Sequence, residues 1–179
     1  LTYLCSPVCN TPLCLCSIFP ALQYTPLFAV YSSLAVYTGR LHLSEIEING
    51  YPKDIASAHQ LAQSTKKGRF KFQDWVIEVL VGGVSNVKKT ADNGFDGYFT
   101  FNKNNNEKGV GLIEVKSGNV KINDLTYLIE TVTRKDADLG VFVCFEEHLT
   151  EGILQKAKQQ GNFIGYKIDK IQILTIEQL

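Results

Sequence analysis

Apolar positions along this chain repeat with two different periods. Phe72, Trp75, Val76, Val79 and Leu80 fall at i, i+3, i+4, i+7 and i+8, one face of a helix over about Phe72 to Val81 that Gly82 and Gly83 stop. A second stripe, Ile55, Ala58, Leu61 and Ala62, predicts a docking helix from Pro52 to about Gln63, with the proline in its first turn. A third, Leu125, Leu128, Ile129 and Val132, predicts a helix capped by Asn123 or Asp124 and running to about Lys135, with Glu130 and Arg134 as an i,i+4 pair. A fourth helix, from Thr150 to about Gln160, ends at Gly161.

Between the helical stretches the period shortens. Gly94 to Gly118, GFDGYFTFNKNNNEKGVGLIEVKSG, holds two short apolar runs joined by a polar loop rich in Asn and Gly, the pattern of a hairpin. Gly140 to Phe145 is continuously apolar, as expected of a strand covered on both faces. Val84 to Lys89 reads as a first strand leading to Lys88, Lys89 and the turn Ala91-Asp92-Asn93-Gly94, in which Asp92 is a turn former. Lys170 to Leu174 reads as a last strand, and Thr175 as the N-cap of a helix cut off at Leu179. Strand 110–117, helix, and strand 140–146 make a βαβ crossover, expected to be right-handed. The fold class is therefore α/β, a mixed central sheet flanked by helices.

Composition divides the chain in two. No charged residue precedes Arg40, and Pro7, Pro12, Pro20 and Pro26 interrupt the apolar stretch too often for a spanning helix of about 20 residues. Residues 1–44 read as an apolar leader outside the domain, and residues 45–179 as the domain, with Glu45 to Ile48 a short strand or linker. Cys5, Cys9, Cys14 and Cys16 lack the C-x2-C spacing of zinc hooks and have no nearby His, so they read as incidental; Cys144 reads as a small buried hydrophobe. His42, His59 and His148 are scattered with no partners at metal spacing. The start at Leu1 and the lack of Met read as marks of a fragment. Formal charge is zero, so any grip on nucleic acid must come from local clusters. One such cluster is Lys66, Lys67, Arg69 and Lys71, interleaved with Phe70 and Phe72, read as a solvated linker or a contact to DNA phosphates.

Candidate chemistry concentrates on the hairpin. Asp96 opens its first run, and Glu114 and Lys116 close the second. Side chains at i and i+2 of a strand share a face about 7 Å apart, so Glu114 and Lys116 point one way while Ile113 and Val115 point into a core. Two carboxylates and a backbone carbonyl such as that of Val115 supply the hard oxygen ligands that Mg2+ takes, leaving positions for water and a substrate phosphate. The lysine can orient the attacking water or help deprotonate it.

Asp96, a strand-to-strand loop, then Glu114-Val115-Lys116 resembles the PD-(D/E)XK nuclease signature. With GFDG, LIEVKSG, a helix and GVFVCFEE around it, the stretch from about Asn49 to Leu179 is similar to the Mrr-like restriction endonuclease domain, and closer still to the copy attached to some DNA methyltransferases. That copy runs from an aromatic-rich helix ending in Gly-Gly to a closing phrase like Ile171 to Glu177. The resemblance implies a restriction-endonuclease-like core, a Mg2+-dependent DNA endonuclease of a restriction–modification system, and a cytoplasmic location. It also implies that Asp96, Glu114 and the Val115 carbonyl hold the metal, that Lys116 positions the water, and that an acid from the first helix, here Glu78, joins them. Relatives commonly carry Phe-Glu where this chain has Phe72-Gln73, a departure that bears on the helix acid. DNA is the implied partner, together with a methyltransferase domain or subunit; a homodimer is left open. The Pro-Pro-Tyr or Pro-Pro-Phe motif of an amino-methylating enzyme is absent from this piece. A non-catalytic DNA-binding or assembly module, a Holliday-junction resolvase and a plain interaction domain stand as alternatives.

Overall fold

The computed structural model describes residues 51–87, 94–103, 107–163 and 167–179. Helix α1 (Ile55–Ala62) starts at Asp54, whose carboxylate accepts the Ser57 N–H at 2.7 Å while the Ser57 hydroxyl accepts the Asp54 N–H at 3.1 Å. This reciprocal cap sets the start of the helix, so Pro52 lies outside it. Ala58 and Ala62 are buried, and small residues there let α1 lie close to the core.

Helix α2 (Lys66–Trp75) corrects the reading of Lys66 to Lys71 as a linker: those residues are its first turns, with Thr65 as the N-cap accepting from Gly68 N. Lys66, Lys67, Arg69 and Lys71 are all exposed on it. The helix continues through one π-helical turn, Val76–Leu80, in which Val81 N donates to Val76 O at 2.9 Å. The extra residue in that turn shifts the phase of the apolar face, so Ile77 is buried beside Val76 and Val79, and Gly82 ends the helix at φ 74°.

Five strands form one sheet in the order β1-β2-β3-β4-β5: β1 (Val84–Ser85), β2 (Gly97–Asn102), β3 (Lys108–Val115), β4 (Leu139–Cys144) and β5 (Ile171–Thr175). Pairings β1/β2 and β2/β3 are antiparallel, β3/β4 and β4/β5 parallel, which is the mixed sheet expected. The first strand holds only two residues; the expected extension through Lys88 and Lys89, and Asp92 after it, lie outside the described residues. Helix α3 (Ile122–Arg134) joins β3 to β4 and α4 (Glu151–Lys158) joins β4 to β5, giving two βαβ units in succession. Arg134 hydrogen bonds Thr131 Oγ1 at 3.2 Å, and among the described residues it forms no ion pair with Glu130.

Each face of the sheet has its own core. Phe72, Val76 and Ile77 of α2 pack with Phe99, Ile113, Val141 and Val143 on one side, while Leu125, Leu128 and Val132 of α3 pack with Leu112 and Phe142 on the other. All six residues of β4 are buried, as its unbroken apolar run required. Alternation along β3 sends Ile113 and Val115 into the α2 side and Leu112 into the α3 side, where Glu114 must follow it. Cys144 is buried and reduced, and burial pushes its thiol up to about 12, which suits the inert hydrophobe expected. No helix among the described residues is long and apolar enough to cross a membrane.

Candidate active site

The hairpin register builds the site. Gly97 pairs with Ile113, so Asp96, the residue before β2, lies across from Glu114. Its main-chain N–H donates to Ile113 O at 2.8 Å, and its carboxylate Oδ2 accepts the Val115 N–H at 2.8 Å, on the side of β3 that faces β2. The opposite edge is held by Lys116 N, which donates to Val143 O of β4 at 2.8 Å. Both edges of the Glu-Val-Lys segment are thereby fixed, one by a carboxylate and one by the parallel neighbour.

Close packing of the π turn aims the acid. A side chain at Gly97 would bring its Cβ to 2.7 Å from Ile77 Cγ2 and 2.9 Å from Val84 O, so only glycine lets α2 press against the residue next to Asp96. Glu114 is 8% exposed and its Oε1 lies 2.8 Å from Lys116 Nζ, so the two share a face as the i, i+2 spacing required. Burial first, and the Asp96 charge second, push the Glu114 carboxyl up to about 7, while Lys116 pulls it back. Burial acts to lower the pKa of Lys116, but Glu114, Asp124 and Asp96 outweigh it and hold the group above its usual value, as an ammonium.

Sequence reasoning left out one member. Asp124, in the first turn of α3, places Oδ1 3.5 Å from Lys116 Nζ. It was read as a possible helix cap, and its Oδ2 does accept the Lys121 N–H at 2.8 Å, but Lys121 holds the N-cap position. The signal available was an acid eight residues after the lysine and at a helix start. Glu78 is exposed on the π turn, and among the described residues no hydrogen bond or ion pair joins it to Asp96, Glu114 or Lys116. Val115 turns its side chain into the α2 core and offers the site only its main chain.

A family model described as a restriction endonuclease, Mrr_cat, matches residues 66–179. The chain belongs to this Mrr-like restriction endonuclease family. No curated protein and no solved structure matches it. The match opens at the first residue of α2, and the mixed sheet with helices on both faces is the restriction-endonuclease-like core of that family. It is a family of restriction-endonuclease-type nucleases, so the chain is read as a nuclease domain of the hydrolase class.

The donor set accords with a divalent cation of the hard type. Among the described residues no group of three or more His, Cys, Asp or Glu is spaced to hold a metal by side chains alone. A site of two carboxylates suits an ion that completes its shell with main chain, water and phosphate, as Mg2+ does, better than one that demands a full protein cage.

Proposed function

We propose that this chain is a Mg2+-dependent DNA endonuclease of a restriction–modification system, cutting phosphodiesters at the open end of the β2–β3 hairpin. One observation carries the reading: Asp96, Glu114 and Lys116, separated by up to twenty residues, converge on one sheet end within a family of nucleases. Asp96, Glu114 and the Val115 carbonyl would hold the cation, and Glu78 would join them from α2. The bound cation supplies Lewis-acid charge to the phosphate and to the leaving oxygen.

The protein's own groups do the positioning. Clamped on Val115 N, the Asp96 carboxylate has one oxygen held beside the Glu-Val-Lys segment. Glu114, withdrawn from solvent and pushed up to about 7 chiefly by that burial, would be stabilised as a carboxylate by added positive charge. The Lys116 ammonium holds the water or a non-bridging phosphate oxygen by hydrogen bonds, and stabilises charge there as the pentacoordinate phosphorus forms. Water oxygen bonds to phosphorus and gives up one proton to solvent, one P–O ester bond breaks, and the released alkoxide takes a proton from solvent. The exposed cations of α2 would contact DNA phosphates, and residues 1–44 would lie outside the domain.

The test is nicking of a supercoiled plasmid with Mg2+ and with EDTA, on methylated and unmethylated DNA, by wild type and Lys116→Ala. Mg2+-dependent nicking by wild type, lost in the variant, is the expected result. DNA binding without cutting would make the domain a recognition or assembly module, and cutting confined to four-way junctions would make it a resolvase.

A further inference from the structure

A lysine ammonium sits on a flexible four-carbon stem, and one ion pair to a neighbour on its own strand leaves it room to swing. In this site the stem is bracketed from two elements. Glu114 reaches Nζ at 2.8 Å from β3, and Asp124 reaches it at 3.5 Å from α3. All three side chains are largely withdrawn from solvent, with the lysine 30% exposed and Asp124 29%. The two oxygens of Asp124 have separate tasks. Oδ2 is spent on the Lys121 N–H at 2.8 Å, which ties the carboxyl to the start of the helix, and this tether aims Oδ1 at the lysine.

We infer that Asp124 is a positioning residue for the proposed nuclease reaction, holding the Lys116 ammonium beside the Glu114 carboxylate from the first turn of α3. The inference rests on the nuclease reading above, because among the described residues the ion pair that Asp124 makes is to Lys116. A purely structural Asp124 would need nothing but an acceptor for the Lys121 N–H. The geometry asks for more, since a charged second oxygen faces the ammonium.

The two roles separate in Asp124→Asn, because an amide oxygen still accepts the Lys121 N–H while the charge toward Lys116 is gone. In plasmid nicking with Mg2+, Asp124→Asn is expected to lower kcat about tenfold with the DNA KM within about twofold, the pattern of an interaction used in the transition state. Asp124→Glu, which keeps the charge and suits this third helical position, should restore part of the rate. Thermal melts of Lys116→Ala, Asp124→Asn and the double variant should be non-additive, as for residues in contact. Wild-type kcat in Asp124→Asn, a loss confined to KM, no recovery in Asp124→Glu, or additive melts would each overturn the inference. If wild type itself failed to nick, the nuclease reading would fall and the catalytic role with it, whereas inactive Asp124→Asn beside active wild type and additive melts would sink the inference alone.

Discussion

The β2–β3 hairpin carries a lysine between two carboxylates at each end, and the two ends differ in charge balance. At the loop end, Lys103 Nζ pairs with Asp138 Oδ1 at 2.6 Å and Glu107 Oε1 at 3.4 Å. Asp138 is further satisfied there, since its Oδ2 accepts the Val110 N–H at 2.9 Å and its own N–H donates to Val110 O at 2.9 Å. Hydrogen bonding to Asp138 holds the Lys103 ammonium above its ordinary pKa. At the open end, Glu114 and Asp124 flank one ammonium while the Asp96 charge acts on the group from nearby, and the most buried acid, Glu114, is pushed up to about 7. A structural ion pair closes on itself. The proposed site leaves negative charge unmet, an energetic deficit that a bound cation would remove.

Four measurements can break that contrast. The largest effect is expected from Lys116→Ala, which should lower plasmid nicking by about a thousandfold while DNA affinity changes little, because a charge aimed at the reacting phosphate acts in the transition state. Comparable losses in binding and turnover would make Lys116 a plain phosphate contact.

Second in size is a pH effect on the metal-free protein. The Glu114 pKa is raised from 4.5 to about 7 by folding, so the unfolded chain ionises first. Below about 4.5 both states are protonated and the group is neutral to stability; as pH rises through that window to about 7 the folded state is penalised, by on the order of 3 kcal/mol. Chemical denaturation in EDTA from pH 4.5 to 7.5, on wild type and Glu114→Gln, should show a slope in the first that is reduced in the second. Equal slopes would remove Glu114 as the strained member.

Smaller is the response to cation. At ten times its dissociation constant, Mg2+ should add about 1.4 kcal/mol to the wild type, because it binds the folded site and not the unfolded chain. Melts at fixed ionic strength should show a much smaller gain in Asp96→Asn and an undiminished gain in Asp138→Asn. Equal gains in wild type and Asp96→Asn would show that Asp96 is not a ligand.

The smallest effect belongs to the loop end. Lys103→Ala should leave nicking within about twofold of wild type, as expected when a surface ion pair far from the chemistry is lost. A large loss of rate there would erase the distinction between the two ends.

Much of this is legible in the sequence, and what is legible is local. The i, i+2 spacing of Glu114 and Lys116 requires a shared strand face, and they meet at 2.8 Å. Alternating and unbroken apolar runs marked β2, β3 and β4, because side-chain direction in a strand follows from backbone geometry alone. The same rules misjudged α2. Lysines and an arginine around Gly68 carry no apolar stripe, and they are helical because Thr65 caps them and Phe72, Val76 and Ile77 anchor the following turns to the sheet. Ile77 is off the 3.6-residue stripe and is buried only because the π turn inserts a residue, which packing against Gly97 rewards. His59, without a sequence partner, stacks on Phe145 with ring centroids 3.8 Å apart, a meeting of residues eighty-six positions apart. Asp124 belongs with these. Periodicity placed it at a helix start, but its approach to Lys116 depends on how the β3–α3 connection folds back over the sheet end, and a distance across a crossover is set by the packing of α3 on Leu112 and Phe142, which no local period encodes.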